Sequence, residues 1–316
     1  MIMKVAAIQM KAIPGDVDKN LAAAKSLAGQ AFAHGAGMVI LPEFFTSAVG
    51  FAPVMKSAAR PLDGPVTKML AGLAKKHDGA IGGSFLAKKK GGCFNTFVMA
   101  FPDGSLYYHD KDQPTMWENC YYEGGSDDGV LETPLGKIGV ALCWELVRTR
   151  TARRLLNRVD LVVGGSCWWD LPDKKLPGYT HAVREKNHAI MEETPSRFAR
   201  LLGCPVIHAA HAGELSCKTP LLPWFPYTSR FLGQTQIVDG AGEVLARMEQ
   251  SDGDGFITAQ LEWPGSRPPS ESIPDRFWIP DIPLPIRFAW WYQNLHGKIY
   301  YRLHGSGRKA RKEKTR

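Results

Sequence analysis

The 316-residue chain has no apolar run approaching the roughly 18 to 20 residues that span a bilayer. Its six cysteines, at 93, 120, 143, 167, 204 and 217, form no Cys-x-x-Cys pair and no Cys/His spacing of a zinc site. A disulfide framework and a structural metal are therefore not expected. There is no internal repeat. The opening "MIMKVAAIQMKAIPGD" reads as a short strand running into a turn, with no long apolar core or cleavage site, so a cytoplasmic location is expected. Acidic residues are scarce at one end only. The last twelve residues, "GSGRKARKEKTR", hold six basic residues against one acidic, so net +5 of the chain's formal +8 belongs to a solvated tail. No specific nucleic-acid partner is expected from that charge.

What is present is an ordinary globular composition, 44% hydrophobic and 22% charged. Short β runs alternate with helical periods, which argues for an α/β fold. "KVAAIQM", "GMVILPE", "PLGKIGVALC" and "VDLVVGGS" read as strands, and the stretch after Asp16 reads as a helix ending near Gly35. A second helix is expected from about Pro65 to His77, and Pro195 predicts either two helices or one broken helix over "YTHAVREKNHAIMEETPSRFARLLG". Pro-Asp-Gly at 102–104 marks a hairpin, and "SDGDG" at 251–255 reads as another hairpin turn rather than a calcium loop, since the later ligands are missing.

After Trp263 the composition changes to proline, tryptophan and tyrosine. Residues 1–264 are thus expected to form the main domain, 265–304 an extended arm lying on another surface of the same chain or of a second subunit, and 305–316 a disordered basic tail. Peripheral membrane contact through the arm's Trp/Tyr and Arg/Lys mixture is the runner-up for that segment.

Polar residues stand where four strands or their connections should end: Glu43 after "MVILP", Lys111 after "GSLYYHD", Glu118 seven residues later, and Cys143 after "KIGVAL". The carboxyl ends of strands open onto the ligand crevice in α/β architectures. Singly, each is an ordinary solvated residue or, for the cysteine, an ordinary core residue. Together they make a chemical set. A thiol with its free pKa of about 8.5 needs a base or a cation beside it to act as a nucleophile. Glu43 could take the proton, and Lys111 could hold the thiolate and then an oxyanion.

The order Glu, Lys, Cys, with "LPEFF", "DKDQPTMWE" and "GKIGVALCWE" around the three, resembles the nitrilase superfamily of carbon-nitrogen hydrolases. The resemblance runs from residue 2 to about 262 and includes "VAAIQM" and the late "RFLGQTQIVDGAGEVLA". It implies a four-layer α-β-β-α sandwich, no cofactor and a homodimer or larger assembly. It implies Glu43 as general base, Lys111 as oxyanion stabiliser, Cys143 as the nucleophile of a thioester acyl-enzyme, and Glu118 as the residue that orients Lys111 or assists water and leaving group. The N–H of Trp144 would complete the oxyanion hole. Where relatives carry Asn-x-x-Gly this chain reads "AAHAG", with Ala210 or His211 in the asparagine's place.

The substrate implied is a small molecule with an amide, carbamoyl or nitrile group. "CWE" and "PTMWE" are closer to the nitrile branch, but amide hydrolysis is commoner across the superfamily, and a linear amide is favoured over a nitrile. Trp144, Trp117, Trp168 and Trp169 are the expected substrate-binding wall, suited to an apolar or aryl acyl group. Arg148 and Arg150 either bind a substrate carboxylate or form the wet face of a helix. Other classes make distinct demands: a cysteine peptidase or amidotransferase needs a histidine base, for which His181, His208 and His211 are the candidates, and an inactive scaffold would usually have lost one of Glu43, Lys111 and Cys143.

Overall fold

The structure is a computed structural model and describes residues 1–174, 180–264, 268–275 and 284–304. The basic run 305–316 lies outside the described residues. Strands β1 (Ile2–Met10), β2 (Met38–Ile40), β3 (Arg60–Pro61), β4 (Ala80–Lys89), β5 (Gly92–Ala100) and β6 (Leu106–Asp110) come from the first third of the chain. They are followed by β7 (Val130–Thr133), β8 (Gly136–Leu142), β9 (Leu161–Ser166), β10 (Val206–His211), β11 (Glu214–Thr219), β12 (Leu222–Arg230), β13 (Gly233–Val238), β14 (Val244–Glu249) and β15 (Gly255–Glu262). The helices are α1 (Val17–Ala33), α2 (Pro65–His77), α3 (Thr149–Leu155), α4 (His181–Leu202) and α5 (Leu284–His304).

All strands but the β11–β12 hairpin join one sheet, in the order β6-β5-β4-β2-β1-β10-β9-β8-β7, with β13 beside β10, β14 beside β13, β15 beside β1 and β3 beside β4. β1 meets β10 only where Gln9 and Met10 face Ala210 and His211, while β15 runs along it from Ile2 to Gln9. The sheet therefore folds over at that corner into two halves that face one another. The period of two along each strand explains the layers. Val5, Ala7, Met38, Ile40, Phe97 and Met99 from one half pack against Ile138, Val140, Leu161, Val163 and Ile207 from the other. The alternate residues Ala6, Ile8, Val39 and Val98 pack outward with the apolar side chains of α1 and α2. Ala141, Val162 and Val206 do the same with α3 and α4. The result is the four-layer α-β-β-α sandwich, and it explains why "VAAI" in β1 is an unbroken apolar run: both its faces are covered.

Three local expectations change. Residues 181–202 form one helix with Pro195 inside it, its flanks Met191, Thr194, Phe198 and Ala199 buried against the sheet. The segment "SDGDG" links β14 to β15, but β14 pairs with β13 and β15 with β1, so it joins two separate ladders instead of closing a hairpin. The extended arm is also corrected for residues 284–304, which are helical. The prolines that spoil a helix are concentrated before this point, and the last of them, Pro285, sits in the first turn, where a missing N–H costs nothing.

Candidate active site

Four chain segments converge at the carboxyl ends of the strands. Glu43 lies three residues beyond β2, Lys111 directly follows β6, Cys143 directly follows β8, and Glu118 sits in a 3-10 turn, Met116–Cys120. All four side chains are buried. Lys111 Nζ donates to Glu43 Oε1 at 2.8 Å and to Glu118 Oε2 at 2.8 Å. A carboxylate oxygen of Glu43, one of Glu118 and the Sγ of Cys143 lie within 4.8 Å of one another. These are groups that could share an ion, but the Lys111 ammonium already sits between the two carboxylates.

Each group is held by further contacts. Glu43 Oε1 also accepts from Asn95 Nδ2 at 2.8 Å, and its Oε2 accepts from the Cys167 N–H at 3.0 Å. Glu118 Oε2 accepts from the Thr115 N–H at 3.0 Å, the reach-back of a Thr-x-x-Glu capping box, and from the Tyr122 hydroxyl. Its Oε1 has no hydrogen-bond partner. Burial raises the Glu43 carboxyl to about 7 against the opposing pull of Lys111. Burial works against the Lys111 charge, but Glu118 and Glu43 more than offset it and hold the ammonium well above its ordinary range. Burial, reinforced by Glu43, pushes the Cys143 thiol well up, so it is a neutral thiol at rest beside a carboxyl that titrates near neutrality.

Cys143 has φ +51°, in the left-handed region that a side chain rarely enters. Such a residue needs surroundings that over-determine it. Glu145, two residues on and fully buried, supplies them: its Oε2 accepts from the Leu142 N–H at 3.0 Å and its Oε1 from the Asp112 N–H at 3.0 Å. The cysteine's turn is thereby tied to the residue after Lys111. His109 Nε2 contacts Glu145 Oε2 at 3.2 Å, its Nδ1 pairs with Asp127, and Arg154 reaches Glu145 at 3.5 Å. Burial opposes the His109 charge, yet Glu145 and Asp127 raise it to about 9.

Asn95, Glu145 and the Cys167 N–H were not foreseen as site groups. The signal for Glu145 lay in its spacing, since a glutamate at the third position of a turn can reach back to the N–H before it. Arg148 is neither wet nor free for a carboxylate, because it is buried and its guanidinium pairs with Asp112 and reaches Thr115 Oγ1 at 3.4 Å. Arg150 is exposed.

A partly open cleft is lined by Cys143 together with Met116, Trp144, Trp168, Trp169 and Leu171. Of the four tryptophans expected at the wall, Trp144, Trp168 and Trp169 line this cleft. Trp117 does not reach the cleft: it is fully buried, stacked behind Trp169 with ring centroids 4.3 Å apart. Polar lining comes from Asp170, Asn187 and Gln293. The unforeseen wall is α5, which contributes Ile286, Ala289 and Gln293 and sets Trp290 against Trp144. It is anchored by Asn294 Oδ1, which accepts from the Met116 N–H and from Asn119 Nδ2, both at 2.8 Å. Gly297 permits this close seat: a Cβ there would lie 2.5 Å from Asn119 Cβ.

The candidate histidines are engaged elsewhere. His211 Nε2 lies 2.7 Å from the Glu43 carbonyl oxygen, His208 Nε2 lies 2.8 Å from Ser166 Oγ, and burial lowers both rings to about 4. His181 is exposed beside Glu185. At the asparagine position of relatives, the Ala210 N–H donates to Thr235 Oγ1 at 3.0 Å.

A family model described as carbon-nitrogen hydrolase matches residues 4–267. Among curated proteins, an N-carbamoylputrescine amidase of Solanum lycopersicum is 31% identical over 276 residues, 83% of this chain and 86% of that protein. A cyanide hydratase of Armillaria gallica is 24% identical over 243 residues, 71% of this chain and 68% of that protein. Among solved structures, a carbon-nitrogen hydrolase from Helicobacter pylori G27 superposes with a TM-score of 0.70 at 20% identity, covering 82% of this chain and 89% of the other.

Proposed function

The chain belongs to the carbon-nitrogen hydrolase family, and on that premise we propose that it cleaves a linear amide of a small molecule through an acyl-enzyme on Cys143. It is a cysteine-dependent enzyme of carbon–nitrogen bond hydrolysis. The observation that carries the roles is the single hydrogen-bonded unit of Glu43, Lys111 and Glu118 with the thiol of Cys143 beside it.

With the thiol neutral at rest, its proton must leave as the sulfur attacks. Glu43, raised to about 7, is matched to accept that proton near neutrality and to give it back. Sγ bonds to the carbonyl carbon, and the oxygen takes the negative charge toward Lys111 Nζ and the Trp144 N–H. Collapse breaks the carbon–nitrogen bond, with the proton passing from Glu43 to the departing amine or ammonia. Water then attacks the thioester, Glu43 takes its proton, and the carboxylic acid leaves with the thiol restored. Glu118 orients Lys111 through Oε2, and its unpartnered Oε1 is available to the water or the leaving group.

The aromatic lining of Trp144, Trp168 and Trp169 supports an apolar or aryl acyl group, with Gln293, whose Oε1 has no hydrogen-bond partner, available to a polar end. A nitrile is the second reading, since the same groups would resolve a thioimidate to acid plus ammonia, and a relative is a cyanide hydratase. Assembly as a homodimer or larger and a cytoplasmic location complete the reading. Among the described residues no helix is long and apolar enough to cross a membrane. The test is mass spectrometry of the protein with a panel of amides, N-carbamoyl compounds and nitriles. An acyl adduct on Cys143 with ammonia or amine release from an amide is expected; no adduct and no turnover with any class would overturn it.

A further inference from the structure

Helix α5 has two unlike faces. Its inner face, through Ile286, Ala289, Gln293, Gly297 and Tyr301, is buried against the body of the protein. At about 100° per residue, the opposite side presents Leu284, Phe288, Trp291, Leu295 and Ile299, which are exposed by 74, 64, 65, 51 and 48%. A surface helix of a soluble domain normally turns its polar stripe outward. Here the outward stripe is apolar, with Arg287 and Lys298 along one edge and Arg302 in the last turn, all exposed.

Charge points to what covers this stripe. The helix has no acidic residue, and residues 284–316 hold nine basic residues against the single acidic Glu313, net +8. That equals the charge of the whole chain, so residues 1–283 sum to zero. A second copy using the same face would set one cationic patch on another, because a two-fold contact repeats the patch on itself. A negatively charged lipid surface meets both demands at once.

We propose that α5 lies flat on an anionic bilayer, its apolar stripe at the level of the headgroups and upper acyl chains and its arginines and lysines among lipid phosphates. At 1.5 Å per residue such a helix offers a contact about 30 Å long. Basic residues near such a surface are attracted to it, and salt weakens the attraction. An apolar stripe with a cationic edge is the pattern of helices that lie in the interface without crossing it. Since the inner face of the same helix lines the cleft, docking brings the catalytic cleft to the lipid surface.

The test uses the full chain with vesicles of phosphatidylcholine alone and of three parts phosphatidylcholine to one part phosphatidylglycerol, with bound protein separated by flotation. Binding to the anionic vesicles about tenfold or more above the neutral ones, and weakened by salt, is expected. A triple variant Phe288→Ser, Trp291→Ser, Leu295→Ser loses that binding about tenfold or more while its thermal melt stays close to that of the parent. A second variant, Arg287→Gln with Lys298→Gln, weakens anionic binding and leaves the melt unchanged. Equal affinity for both vesicle types, or undiminished binding by the triple variant, overturns the proposal. So does a parent assembly that the triple variant dissociates without any vesicle binding, which would assign the face to a second copy. None of these readouts depends on hydrolysis.

Discussion

Trp290 stands edge-on to Trp144, with ring centroids 4.2 Å apart and planes at 83°, so the residue after the candidate nucleophile is pressed by a helix from the far end of the chain. Trp144 is backed on another side by Trp168, with centroids 4.8 Å apart. The ring contacts fix the residue whose N–H is proposed to face the developing oxyanion. Trp290→Ala is expected to destabilise the protein by about 1–3 kcal/mol, given a half-buried aromatic. It should also lower kcat about tenfold, more than it changes KM, because a misplaced oxyanion donor acts on the transition state. Melting curves and steady-state kinetics check this, and an unchanged kcat would remove α5 from the chemistry.

Glu43 links activity and stability with opposite signs. As a carboxyl raised from 4.5 to about 7, it is protonated in the folded protein and ionised in the unfolded chain between those values. The unfolded state then binds fewer protons, so stability falls as pH rises from about 4.5 to about 7, while the proposed base becomes competent over the upper part of the same window. In Glu43→Gln the decline in melting temperature between pH 5 and 7 should flatten, and kcat should fall about 10²–10⁴-fold. A variant with the parent's pH slope and rate would contradict both assignments.

The buried His109 gives the opposite limb. Raised from 6.5 to about 9, it binds a proton more tightly when folded. Its stabilising contribution is full below about 6.5 and is lost as pH rises through about 9. The parent should therefore lose melting temperature between pH 7 and 10, and His109→Gln should start lower and show a shallower fall. Parallel curves would show that the charge pairing with Glu145 and Asp127 does not hold this region.

Gly297 sets how closely α5 seats on the Met116–Cys120 turn. Gly297→Val places a side chain where Asn119 already stands and is expected to cost about 1–3 kcal/mol by overpacking. The displaced helix would widen the cleft, so KM for an apolar amide should rise more than kcat falls. Calorimetry together with kinetics on short and long acyl substrates would reveal a variant that behaves as wild type.

Much of this was legible beforehand because the sheet exposes strand ends in a regular way. Glu43 and Cys143 could be picked out since each follows an apolar run of a covered strand, Lys111 since it follows a hairpin strand, and Glu118 through its place seven residues after Lys111 in "DKDQPTMWE". Asn95 was not, since it lies within β5 and looks like any polar residue on an alternating strand. Trp117 gave no sign that it stacks behind Trp169, because ring stacking between distant segments leaves no mark on spacing. The β11–β12 hairpin was hidden by Pro220, Pro223 and Pro226, which argue against a strand. Helix α5 was missed because the prolines before it dominated the composition, and because its apolar residues fall on both faces and blur the usual period.

The cleft has its chemical groups and most of its walls on different stretches of chain. Glu43, Lys111, Glu118 and Cys143 all fall before residue 144, whereas Trp168, Trp169, Leu171, Asn187, Tyr227, Ile286, Ala289 and Gln293 all follow it. Substitution among these later wall residues can thus remodel what the pocket accepts while keeping Glu43, Lys111, Glu118 and Cys143 themselves, provided the Cys167 N–H and the Trp290 contact stay in place.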